Sequence, residues 1–564
     1  MSLDAVDTRS WDAINEHYKA LEEETLTPPT VQNWLQRWSD LEAQIMEAVG
    51  QAASRTHENT ADKDAEALHL HYLRNILPKL SIVNERLKVK LLDLEGYEPP
   101  ADQQMMMRDF RTERALFREE NVPLETELSV LATEHRKITG QMTIEWEGET
   151  LTLDQAELLL SDPERETRER AWRKVHETWE AVRPTLDEQY LKMLSLRRQI
   201  AKNAGFENYR AFAWLERGRY EYTPSDAFTF HDAIEHQVVL LARKIFETQR
   251  QTLGVAALRP WDLMAEQPGM APLAPFQTGA ELEEGCTRIF QAIDAELGAQ
   301  FEQLRGNGCL ELESRANKAP GGYCRALPVS KRSYIFMNAV GKQENVRTLL
   351  HEGGHAFHNQ HACDLPLVWM RHAPMEMAEV ASMAMELLAY PFMEKEKGGF
   401  YSPEEADRAR VEHLEKIVLF LPYMAVVDAF QHWVYAEAPA NVTADDMDAT
   451  WSSLWERFMG GVDWQGLQEE KESGWHRKRH IFVYPFYYIE YGLAQLGALQ
   501  VWRNAQTDPA AALSAYRRTL ALGGTRSLPE LYESAGIRFA FDRATVRDTM
   551  QLVETHLDAL TAKT

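Results

Sequence analysis

The stretch that decides the reading of this chain is TLLHEGGHAFH, residues 348–358. It sets His351 and His355 four residues apart, with Glu352 beside the first and Gly353 and Gly354 between them. On an α-helix, positions i and i+4 share a face one turn apart, so both imidazoles can grip one ion. Glu352 is rotated by about 100° from His351. Its carboxylate can therefore reach a water held by the ion rather than the ion itself. This is the HExxH arrangement, in which two histidines bind zinc and the glutamate acts as general base. Chance alone would put it in roughly one chain in twenty of this composition. Each glycine costs a helix about 1 kcal/mol relative to Ala. A helix keeps such a pair where its flank lies against another backbone or leaves room for a substrate.

A hydrolytic zinc takes three protein ligands and keeps one position for water. RHAPMEMAEVASMAME, residues 371–386, opens a helix after Pro374 and offers Glu376, Glu379 and Glu386. Glu376 lies in the first turn, where an acid complements the helix dipole. Glu379 and Glu386 share a face of a helix otherwise made apolar by Met377, Val380, Met383, Met385 and Leu387. Burying them there is costly without a partner, and a cation is a natural one. Two solvated glutamates are the alternative. His358 lies a turn beyond the first histidine pair and reads as packing or as support for the ligands.

Outward from this centre, most of the chain has helical periodicity. Trp34, Trp38, Leu41, Ile45 and Val49 mark one stripe, and Leu68, Leu73, Ile76, Leu77 and Leu80 another. EGYEPPADQQ (95–104) is a break, and 105–139 is charged and helical. MTIEWEGETLTL (142–153) alternates around Gly148 and predicts a β-hairpin. Helix resumes over 154–201. The Pro- and Gly-rich segment 254–279 predicts an exposed loop, and one helix follows over 280–304. Ser333–Val340 is rich in strand formers and closes at Gly341. From 374 onward the pattern is almost wholly helical.

Composition narrows the function. The chain has 564 residues, 44% of them hydrophobic and 26% charged, with a formal net charge of −26. So acidic a surface repels phosphate backbones and anionic lipid, which argues against nucleic-acid or membrane partners. A basic groove inside the acidic body stays open. The four cysteines (Cys286, Cys309, Cys324, Cys363) form no CxxC pair and no disulfide framework. With no signal-like N-terminus and no long uninterrupted apolar run, the expectation is a cytoplasmic protein.

WHRKRHIFVYPFYYIEYGLAQLG (475–497) gathers aromatics around Pro485. Tyr484, Tyr488 and Tyr491 are spaced by four and three, as on one helical face. They read either as a core stripe or, since buried phenols need partners, as part of a site that includes His480.

HEGGHAFH, followed 28 residues after His351 by the glutamate of AEVAS, resembles the thimet oligopeptidase / oligoendopeptidase F family of zinc metallopeptidases. The resemblance is clearest over about 320–495. Gly353 departs from it, since many relatives carry a bulkier apolar residue there. It implies a single Zn²⁺ per chain on His351, His355 and Glu379, with Glu352 as base and Glu386 orienting a ligating histidine. It also implies that Tyr491 and His480 stabilise the oxyanion and that Tyr484 and Tyr488 contact substrate. The strand 333–340 becomes the edge that pairs with a peptide, and the Gly321–Gly322 loop approaches it. The expected fold is mainly α, a helical zincin with a small sheet beside the zinc helix and a deep channel. A helical portion over 1–205, bearing the hairpin, would close over a catalytic portion, 206–564. The expected activity is endopeptidase action on short peptides. A related carboxypeptidase, with Arg477 or Arg479 holding a terminal carboxylate, and a non-catalytic metal-stabilised peptide binder are the alternatives. Oligomeric state is not legible.

Overall fold

The computed structural model describes residues 6–562, and helices dominate them. After Trp11–Glu23 comes α1, Val31–Glu58. It buries Trp34, Trp38, Leu41 and Ile45, positions its periodicity marks. They pack with Ile14, Tyr18, Leu87 and Phe110 into one apolar cluster, which Leu367 and Met370 join from far along the chain. Beyond the break expected near 95–104, helices resume at Gln104–Leu116 and at α2, Val122–Gly140.

The expected hairpin forms as β1, Thr143–Trp146, and β2, Glu149–Thr152, with Trp146 opposite Glu149. Glu147 and Gly148 have φ of 53° and 94°. Two positive values make the tight turn whose twist matches that of the strands. α3, Arg165–Asn203, then enters the large second cluster through Leu186, Tyr190 and Leu194.

Two expectations fail between 254 and 306. The Pro- and Gly-rich segment is not exposed throughout, because Leu258, Trp261 and Asp262 are buried. Asp262 accepts hydrogen bonds from Arg165 at 2.9 and 2.7 Å and from Arg168 at 3.2 Å, which pins the segment to α3. The single helix expected over 280–304 is two, Gly279–Ile293 and Ala295–Gly306. Asp294 turns extended between them and caps the second by accepting from the Glu296 and Leu297 amides.

The sheet beside the HEGGH helix has β3, Leu310–Glu313; β4, Tyr323–Leu327; and β5, Arg332–Ala339. Their order is β3-β5-β4, with β3 parallel and β4 antiparallel to β5. The strand expected over 333–340 is therefore β5, and it is central. The edges belong to β3 and to β4, which lies just ahead of the strand singled out from sequence. The burial of Ser333, Ile335, Phe336, Met337 and Ala339 suits a central strand.

The chain then runs through α4, Gln343–Ala362; α5, Met375–Leu388; α6, Pro403–Ala436; α7, Arg479–Val483; and α8, Tyr488–Thr507. α4 packs on β5 and α5, and α5 packs on α8. α6 is long and apolar enough to cross a membrane, and 72% of its apolar stretch is buried inside the protein. Here it serves as a core helix against α8.

Candidate metal centre

α4 starts where β5 ends. Gly341 takes φ 89°, and Asn345 Oδ1 accepts from the amides of Val340 and Lys342 at 2.9 and 3.0 Å, closing the turn. The two glycines then explain how α4 meets its neighbours. A Cβ on Gly354 would lie 2.6 Å from Ala381 O and from Ser382 Cα, both backbone atoms of α5. A Cβ on Gly353 would lie 2.5 Å from Cζ of Phe290. The pair thus admits a helix backbone and an aromatic ring. Of the two reasons read from sequence, close approach is the one these contacts support.

That approach brings three donors together. His351 Nε2 lies 3.3 Å and His355 Nε2 3.5 Å from Glu379 Oε2. One ligand atom from each residue falls within 4.8 Å of the others. Ser382 Oγ donates to Glu379 Oε2 at 3.1 Å, and the Tyr487 hydroxyl donates to Glu379 Oε1 at 2.7 Å. His351 Nδ1 is 2.7 Å from Glu386 Oε1. A carboxylate there fixes the proton on Nδ1 and leaves Nε2 as the ligand atom. Glu386 also meets His413 Nε2 at 3.0 Å and Arg347 Nε at 3.8 Å, and His413 Nδ1 meets the Tyr390 hydroxyl at 2.9 Å.

Electrostatics agree with the geometry. Burial works against charge on Glu379 and Glu386, yet the adjacent histidines hold both carboxyls far below their ordinary range. Burial likewise opposes charge on His351, and the two carboxylates nonetheless raise it well above the usual imidazole value. The buried Glu379 carboxylate facing two imidazoles makes a donor set of nitrogen and oxygen that suits a borderline divalent cation such as zinc. Glu352 differs. It is buried, its Oε2 has no hydrogen-bond partner in the protein, and burial raises its carboxyl. Its Oε1 lies 3.4 Å from where a Gly322 Cβ would stand. The Gly321–Gly322 turn thus sits beside Glu352.

The aromatic segment is only partly as its spacing suggests. Tyr488 and Tyr491 lie on α8, but Tyr484 does not. It precedes Pro485, which disfavours helical backbone at that position, and it takes φ −132°, ψ 68°. Tyr484 is instead 38% exposed and accepts a hydrogen bond from Arg479 Nη2 at 3.2 Å. Tyr488 is buried and accepts from Lys478 Nζ at 3.1 Å. The His480 ring lies 5.7 Å from Tyr487, 5.1 Å from Tyr488 and 5.7 Å from Tyr491. His480, Tyr488 and Tyr491 line a cavity of about 480 Å³ together with His351 and Glu386.

Two residues escaped the sequence reading, and a third was read too simply. Tyr487, on Glu379, lies off the apparent tyrosine face, and Pro485 was the available signal that this face was broken. His413, from α6, carries no local motif. Glu376 is no mere dipole acid, since it is buried and accepts from the Tyr222 hydroxyl at 2.7 Å.

The family model for Peptidase family M3 matches residues 158–551, well over half of the chain. The chain belongs to peptidase family M3. Membership agrees with the oligoendopeptidase F-like resemblance of its HEGGH region. An oligoendopeptidase F homolog from Borreliella burgdorferi is 21% identical over 289 residues, covering 49% of this M3 chain and 47% of the relative. The match thus spans about half the length of that curated relative. A solved structure assigned as oligoendopeptidase F is 25% identical, with TM-score 0.91, over 99% of this chain and 97% of its own. PZ peptidase A, solved with an inhibitor, shares the fold at TM-score 0.93 and 24% identity, over 99% of each chain. The mainly helical M3 architecture with its small sheets is therefore the fold of the described residues.

Proposed function

We propose that this protein is a zinc-dependent endopeptidase that cuts internal bonds of short peptides. The convergence of His351, His355 and Glu379 beside the unpartnered Glu352 carries the reading. These three side chains would hold one Zn²⁺ per chain. When bound, such an ion supplies Lewis-acid chemistry and acidifies its water toward a pKa of ~7. Glu352, buried and free of protein hydrogen bonds, takes a proton from the attacking water and delivers it to the leaving amine. Glu386 keeps the His351 proton on Nδ1. His480 and Tyr491 line the cavity as donors to the developing oxyanion, and Tyr484 and Tyr488 contact substrate. The unpaired edge of β4 offers backbone groups to an extended peptide. Short peptides, rather than nucleic acid or membrane, are the partners, and the acidity of the chain supports this. The four cysteines are unpaired, which supports a reducing, cytoplasmic setting.

The test pairs elemental zinc analysis with hydrolysis of an internally quenched short peptide, with and without chelator. Glu352→Gln should retain zinc and lose turnover. Turnover surviving in that variant, or resisting metal removal, overturns the reading.

A further inference from the structure

Three arginines converge beside the edge strand without a carboxylate to balance them. Arg325 lies on β4, Arg479 opens α7, and Arg136 lies near the end of α2. α2 touches α7, where the His135 and Phe482 rings lie 4.4 Å apart, and a Cβ on Gly321, just ahead of β4, would stand 3.6 Å from Arg479 Nη1. Among the described residues, the polar partners of these guanidiniums are neutral. Arg325 Nε donates to Ser54 Oγ at 3.1 Å, Arg479 Nη2 to the Tyr484 hydroxyl at 3.2 Å, and Arg136 Nη2 to Thr133 Oγ1 at 3.3 Å. Arg479 Nε is buried with no partner at all. The nearby Glu58 carboxylate is engaged elsewhere, by the Tyr334 hydroxyl at 2.6 Å.

The arrangement is built rather than incidental. Gly50, inside the long helix α1, makes room for Arg325, since a Cβ there would lie 2.9 Å from Arg325 Cδ. Neighbouring groups feel this positive charge. Burial first, then Arg479 and Arg325, lowers the Arg136 guanidinium. The His57 imidazole is driven down to about 3 by burial and then by Arg136, Arg325 and Arg479. Burial would raise the Tyr484 phenol, yet the same three arginines pull it below its usual value. Gathering like charges in a partly desolvated site is unfavourable until an anion completes it. In a chain of net charge −26, such a positive focus is a local exception with a recognition role. Of the two arginines raised from sequence as carboxylate holders, Arg477 points away, donating to Glu470 O at 2.6 Å.

We propose that Arg136, Arg325 and Arg479 form an anion subsite that receives a carboxylate of the peptide substrate. Gly322 stands beside Glu352, and Arg325 is three residues further along β4. That places the subsite about 10 Å from the chemistry, some three residues away on a peptide extended along the strand. The carboxylate is either the peptide's C-terminus or an acidic side chain at that distance.

The subsite rests on the peptidase reading, and binding separates the two. Full-length zinc-loaded E352Q is titrated with labelled peptides of one sequence. The arms are a free C-terminal carboxylate against its amide, and an internal Glu against Gln. The carboxylate form in one arm should bind about 10- to 100-fold more tightly than its neutral counterpart, and that arm identifies the source. R325Q and R479Q should each bring this ratio toward one, R325K should retain part of it, and R325E should favour a lysine-bearing peptide. Arg325 and Arg479 are part-exposed, so their variants should fold, which thermal unfolding checks. Equal ratios in both arms, or a preference indifferent to these substitutions, overturns the subsite alone. Failure of every peptide to bind overturns it together with the peptidase reading.

Discussion

Gly354→Ala puts the closest helix contact in the molecule's centre to a quantitative test. The added methyl would stand 2.6 Å from two backbone atoms of α5. Carbon atoms settle at about 3.5–4.0 Å, so α4 and α5 must part by about 1 Å. Backbone cannot rotate aside as a side-chain tip can. Overpacking of this kind costs about 1–3 kcal/mol, against a gain of about 1 kcal/mol in helix propensity. The net expectation is a loss of up to about 2 kcal/mol in the stability of the metal-free protein. The displacement also carries Glu379 away from His351 and His355. Ligand distances tolerate only about 0.2 Å, so zinc affinity should fall at least about tenfold. Thermal unfolding in chelator reads the first effect, and competition with a chromophoric chelator reads the second. Gly353→Ala is the control, because its methyl meets the Phe290 ring instead of α5. It should destabilise the fold with a smaller change in zinc affinity. A Gly354→Ala protein that melts higher and holds zinc as tightly as the parent would refute the close-approach argument.

Glu386→Gln removes the charge that orients His351 and meets His413; zinc affinity should drop by about 10- to 100-fold, measured by the same competition. His480 is pushed down to about 3, by burial and then by Lys478 and Arg479, and so stays neutral through the working range. His480→Asn should therefore cut kcat by about 100-fold without moving the acid limb of the rate–pH profile; a shifted limb would show that His480 titrates. His69 and His135 are held neutral by burial, at about 4 and about 3, whereas in the unfolded chain each binds a proton below ~6.5. The unfolded state then binds more protons, so stability falls as pH drops from ~6.5 toward ~4. His135→Phe should reduce that slope by about 1.4 kcal/mol per pH unit, read by chemical denaturation at several pH values.

The pairing of His351 with His355, with Glu352 beside it, was legible because a helix repeats every 3.6 residues and these positions express that period directly. Glu379 came from resemblance, and the buried face of α5 agrees with it. What the sequence hid was set by tertiary contact. β5 and β4 are both strand-like, and only the parallel pairing of the short β3 makes β5 central. Asp262 looks like one more loop acid until Arg165 and Arg168 close on it. Tyr487 is silent because the chain leaves helical geometry around Pro485, with Phe486 at φ 63°, so helical spacing no longer says which phenol turns inward. His413 and Arg136 reach their partners from distant helices.

The stretch joining the two ligand-bearing helices is tied down in an unexpected place. Leu367 and Met370 insert into the apolar cluster built by α1 and its neighbours, and the Val368 amide donates to Ser39 Oγ at 2.8 Å. The N-terminal helices therefore act as the anchorage of the connector that sets the spacing between HEGGH and its acidic partner. A fragment trimmed to the motif-bearing half would keep every candidate ligand and lose the mooring that holds them in register, so a minimal enzyme has to retain the N-terminal helices.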